Sequence, residues 1–69
     1  MSYIILTEKT RQRAYPGKDE ENFYSSTHGM FSKYKNAAIY STFEAAQPTV
    51  QKLRQGSPEV FISAVLNPY

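Results

Sequence analysis

A chain of 69 residues with a formal net charge of +2 and a pI near 9.0 makes one domain at most, and one whose core is small. It has no cysteine and a single histidine, so it has no disulfide, no thiolate metal site and no ligand set for a structural zinc. No apolar run reaches the length of a membrane span, and the charge is too mild for a dedicated nucleic-acid binder while suiting contact with an acidic partner.

The N-terminal MSYIILTEK lacks a basic n-region and its apolar run is short, so it is not a secretory signal. Together with the missing cysteine, this points to a single domain over residues 1–69 in a reducing cytoplasm, with no cofactor. Stability then rests on the core, with homo-oligomerisation as a further source.

The first predicted element is a strand over Tyr3-Ile4-Ile5-Leu6-Thr7, apolar on both faces and therefore central in its sheet. Next, Tyr15-Pro16-Gly17-Lys18 carries the signature of a type II turn, and Asp19-Glu20-Glu21 follows as a solvated acidic loop. Asn22 to Thr27, NFYSST, is β-compatible but polar, which favours an edge strand. Ala37-Ala38-Ile39-Tyr40 reads as a short strand.

A helix follows in STFEAAQPTVQKLRQG. Ser41 or Thr42 can cap it, and Ser41 with Glu44 has capping-box spacing. Phe43, Ala46, Val50 and Leu53 form one apolar stripe. Lys52 and Arg54 suit the negative end of the helix dipole, and Gly56 suits the position just past the end. Pro48 leaves two readings. Either the helix runs 43–55 with Pro48 bending it, or a turn over 42–46 precedes a helix that starts at Pro48; the Phe43/Ala46 stripe favours the first. The last element is a strand at Val60-Phe61-Ile62-Ser63-Ala64-Val65-Leu66, bounded by Pro58 and Pro68.

These elements make an α+β domain: a small antiparallel or mixed sheet of three to four strands with one helix packed on one face. The run YIIL, then FSKYKNAAIYSTFEAA, then the final strand FISAVL, resembles very small accessory proteins of bacteriophages. In those a short strand ending in an aromatic residue passes through a Ser/Thr cap into an alanine-containing helix, here Ile39-Tyr40-Ser41-Thr42 into Glu44-Ala45-Ala46. The resemblance covers residues 31–66. It implies an inhibitor or modulator of a host protein, acting in the host cytoplasm.

Chemistry has little to work with. His28 lies in Ser25-Ser26-Thr27-His28-Gly29 beside hydroxyls, but there is no nucleophile-elbow pattern and no third group that the spacing would bring to it. The acidic triplet lacks calcium-loop spacing, and no phosphate-cradling glycine motif occurs. The chain is therefore expected not to be an enzyme.

The functional signal is basic and aromatic. Residues 9–35 hold six of the eight basic residues and five of the ten aromatic ones. Lys9, Arg11 and Arg13 alternate after the first strand and lead to Tyr15; Lys33 and Lys35 flank Tyr34; Tyr24 lies between. Lys9, Arg11, Arg13, Tyr15, Tyr24, Lys33, Tyr34 and Lys35 are the candidate partner-binding residues. Arg and Tyr anchor protein interfaces, while Lys and Arg with exposed rings also suit a nucleic-acid strand. The plain alternative is the solvent face of an edge strand. Asp19, Glu20 and Glu21 in the same segment repel phosphate, which favours a protein partner over nucleic acid.

Overall fold

The computed structural model describes residues 1–8, 17–56 and 61–69. They form four strands, β1 (Tyr3–Glu8), β2 (Phe23–Ser25), β3 (Met30–Ser32) and β4 (Phe61–Leu66), one helix α1 (Phe43–Gly56) and a 3-10 turn at Tyr34–Asn36. The sheet is antiparallel throughout, in the order β3-β2-β1-β4, and α1 packs on one face, against β1 and β4. This is the expected small α+β fold.

Burial of β1 on both faces explains its composition. On the helix side Ile5 packs with Ile62, Ala46 and Val50. On the other side Ile4 and Leu6 pack with Phe23, covered by Tyr34, Ala37 and Val65. Alternate side chains of a strand point to opposite faces, so an apolar run with no polar alternation needs a cover on each side, and here it has two. Burying each of these large side chains is worth about 1.5–3 kcal/mol.

The helix runs through Pro48, as the apolar stripe indicates. Thr42 is the cap: its Oγ1 accepts from the Ala45 N–H at 3.1 Å. The Ser41–Glu44 capping box therefore gives way to Thr42 one residue on, because the hydroxyl nearest the first free N–H groups takes them. Ala46 and Val50 are buried and Leu53 packs against them half-buried. Phe43 is 42 % exposed and meets the Tyr3 ring edge-on at 6.1 Å. Gly56 is the last helical residue rather than the first beyond it, and Gly29, at φ +65, is the glycine with a left-handed backbone among the described residues.

Two expectations about strands are corrected. NFYSST does contribute a strand, but β2 is interior, between β3 and β1. Its polar Ser25 is fully buried yet satisfied, with Oγ 2.9 Å from His28 Nδ1 and accepting from the His28 N–H at 3.3 Å. The edge is β3, which no local pattern announces. It forms because a turn closes behind β2: the Gly29 N–H donates to the Ser25 carbonyl at 2.9 Å, and Gly29 supplies the positive φ that reverses the chain.

Ala37–Tyr40 is not a strand. It is a wedge carrying a single bridge to β1, Tyr40 with Tyr3. The Ala38 N–H donates to the Tyr24 carbonyl of β2 at 2.9 Å, while Tyr40 and Tyr3 exchange bonds of 2.9 and 2.8 Å. The segment thus bonds to both β1 and β2, which pair directly only around Leu6 and Phe23. Tyr40 and β4 both run antiparallel to β1, so α1 joins two parallel segments that flank it. The Gly17–Glu20 turn, closed by the Glu20 N–H on the Gly17 carbonyl at 3.0 Å, opens at Gly17; the expected turn from Tyr15 involves residues outside those described.

Candidate functional site

On the sheet face opposite α1, three rings meet. Phe23 from β2 is fully buried. Tyr34, on the 3-10 turn, meets it edge-on at 5.4 Å, and Tyr69 at the C-terminus meets it at 6.2 Å. The two tyrosine rings are 4.9 Å apart. Edge-to-face pairs of this kind add about 0.5–1.5 kcal/mol beyond the area they bury.

Asn67 fixes the cluster. Its N–H donates to the Ser2 carbonyl at 2.8 Å, and its Nδ2 donates to Ser2 Oγ at 3.0 Å and to the Tyr34 hydroxyl at 2.9 Å. Its Oδ1 accepts from the Tyr69 N–H at 3.0 Å. One side chain thus ties the first residues, the 3-10 turn and the last residue together.

Lysines surround these rings. Lys18 places Nζ 5.4 Å from the Tyr34 centroid and 4.9 Å from the Tyr69 centroid, within cation–π range and worth about 0.5–1 kcal/mol at an exposed site. The Tyr34 N–H donates to the Lys18 carbonyl at 3.0 Å, so the acidic loop is pinned to the 3-10 turn. Between them lies a surface groove of about 370 Å³ lined by Lys18, Asp19, Lys33, Tyr34 and Lys35. Three cations and one carboxylate share one wall-and-floor arrangement around an aromatic ring. The neighbouring Glu20 carboxylate folds back on its own turn, accepting from the Gly17 N–H.

The structure brings Lys33, Tyr34 and Lys35 together in this groove. Tyr24 lies on the other face, packed against Phe31 at 5.9 Å and against the helix-side core. Lys9, Arg11, Arg13 and Tyr15 lie outside the described residues. Lys18 and Tyr69 were not singled out by sequence. Lys18 stands beside the acidic triplet, apart from the alternating basic residues at 9–13 and 33–35, and Tyr69 reaches Tyr34 only through the fold.

The Ser25–His28 contact joins a hydroxyl to an imidazole, but Ser25 is fully buried, so the contact locks the β2–β3 turn and offers no hydroxyl to a substrate. Among the described residues no group of three or more His, Asp or Glu side chains converges to hold a metal, and no helix is long and apolar enough to cross a membrane. Comparison with protein-family models, curated proteins and solved structures found no match to this chain.

Proposed function

We propose that this chain is a small non-enzymatic binding protein that docks on a host protein and alters its activity, as the resemblance to phage accessory proteins implies. The observation that carries the reading is the groove, where Lys18, Lys33 and Lys35 stand around Tyr34 with Asp19 among them. A mixed-charge rim about an anchored aromatic ring is the arrangement of a protein interface, where complementary charges set orientation and rings supply contact area. A phosphate backbone would meet the Asp19 carboxylate as a repulsion. Nucleic acid is the second reading, favoured by the excess of lysines over carboxylates in the groove.

The test is capture from a host lysate by the tagged chain, with and without nuclease, beside a Lys33→Glu/Lys35→Glu variant. Both lysines are exposed and outside the core, so the variant should keep its circular dichroism spectrum and melt. The protein reading expects capture that resists nuclease and is lost in the variant. Capture that vanishes with nuclease moves the assignment to nucleic acid, and undiminished capture by the variant removes the groove from the site.

A further inference from the structure

In the order β3-β2-β1-β4 the outer edge of the sheet is β4, and which of its backbone groups face outward follows from the β1 hydrogen bonds. The Tyr3 N–H donates to the Tyr40 carbonyl, the Tyr3 carbonyl accepts from the Tyr40 N–H, and the Thr7 N–H donates to the Asn22 carbonyl at 2.9 Å. The polar groups of Tyr3, Ile5 and Thr7 are therefore turned toward β2. Residues opposite one another in an antiparallel pair either both exchange bonds or both turn away. The partners of these three across β1–β4 are Leu66, Ala64 and Ile62, so those three turn their N–H and C=O groups outward. The Ile62 carbonyl corroborates this independently, since it accepts from Arg54 Nε at 2.9 Å, which a carbonyl facing β1 would not do.

Among the described residues no strand lies beyond β4. The strand FISAVL has no charge and no proline, so it lacks the devices that blunt an exposed edge, apart from Arg54 at one end. Leu66, at the other end, is 44 % exposed.

We propose that β4 pairs with β4 of a second copy of this chain about a twofold axis at Ala64, joining two four-stranded sheets into one. The outward residues are spaced two apart and centred on Ala64, so an antiparallel copy of the same strand meets them all: Ala64 opposite Ala64, and Ile62 opposite Leu66. The strand is its own complement, as a twofold interface requires. Ile62 and Leu66 share the helix-side face, so the pairing covers the exposed Leu66 with an apolar neighbour. No like charges fall opposite each other along the strand. The Ile62 carbonyl, with two lone pairs, can accept from both Arg54 and the second copy's Leu66 N–H. A twofold axis perpendicular to the sheet keeps both Lys/Tyr grooves on the same face, where they can engage a partner together.

Sedimentation velocity of the full chain over a wide concentration series tests this, with two variants. The wild type should pass from monomer to dimer. Leu66→Lys sets a charge against Ile62 and beside Arg54 of the second copy, and should weaken association about ten-fold or more while retaining the wild-type far-UV circular dichroism. Ala64→Cys introduces a single thiol into a cysteine-free chain, and the Cα separation of about 5.5 Å in such a pair is within disulfide reach. Treatment with a mild oxidant should therefore give a covalent dimer, where Ser26→Cys on the distant β2–β3 turn gives little. A wild type that stays monomeric throughout, including one that instead accepts an unrelated extended peptide on β4, overturns the proposal. So does a dimer that a folded Leu66→Lys variant forms equally well.

Discussion

Gly29 and Asn67 show how single residues set this structure, by different means. Gly29 sits at φ +65 with open space where a Cβ would be, so its role is conformational only. Gly29→Ala should cost about 1–2 kcal/mol, the penalty of a left-handed backbone for an L-residue, and Gly29→Asn should recover part of it, both read from thermal melts. Equal losses for the two variants would place the cause in packing instead. Asn67 works through its amide. Asn67→Ala removes the side-chain bonds to the Tyr34 hydroxyl, to Ser2 Oγ and to the Tyr69 N–H. It should lower stability by about 1–3 kcal/mol, and it should release Tyr69, seen as a change in tyrosine near-UV dichroism. A loss of stability with the tyrosine signal unchanged would contradict Asn67 as the clamp of the cluster.

Within α1, Pro48 is the element's weak point. It sits in the second turn, after Thr42 has capped the first, and a proline there withholds the N–H that would bond the Glu44 carbonyl. Pro48 is exposed and the buried positions are Ala46 and Val50. Pro48→Ala should therefore stabilise the protein, by about 1–3 kcal/mol, raising the melting temperature. A lower melting temperature would mean that the proline organises the entry to the helix. Val50→Ala should act the opposite way, costing about 2–3 kcal/mol by lost burial and a residual cavity, and more than Leu53→Ala, because Val50 is 1 % exposed and Leu53 only half-buried. A Leu53→Ala loss equal to or larger than this would contradict the helix orientation.

The strongly patterned elements were legible in the sequence for the same reason that they are stable. β1 is apolar on successive residues because both its faces are covered, and the helix stripe has one face to bury. The weaker elements depend on distant partners. β3 is three residues beside a glycine, and only Phe31 of it packs on the core. β2 reads as an edge because it is polar, yet its buried Ser25 is satisfied by His28, and nothing local reports that. Ala37–Tyr40 has strand composition but its place is set by the gap between β1 and β2. The same limit governs the site. Lys33, Tyr34 and Lys35 are adjacent and visible together, whereas Lys18 and Tyr69 join them only through the loop bonded to Tyr34 and the chain end held by Asn67.

At the scale of the whole molecule, the sheet serves two faces differently. The helix side is core. The opposite side is closed by Tyr34, Ala37 and Tyr69 over Phe23, and Tyr34 also lines the lysine groove. Phe23→Ala should therefore cost about 3–5 kcal/mol and abolish binding along with the fold, whereas lysine substitutions should spare the fold. Ionic strength separates a protein partner in the groove from a phosphate backbone most directly. Affinity for the captured partner, measured by calorimetry from low to high salt, should fall only modestly, because a mixed interface with an aromatic centre loses little when its rim charges are screened. A steep linear decline of log affinity with log salt, matched by competition from added DNA or RNA, is the signature of counterion release and would contradict the protein reading.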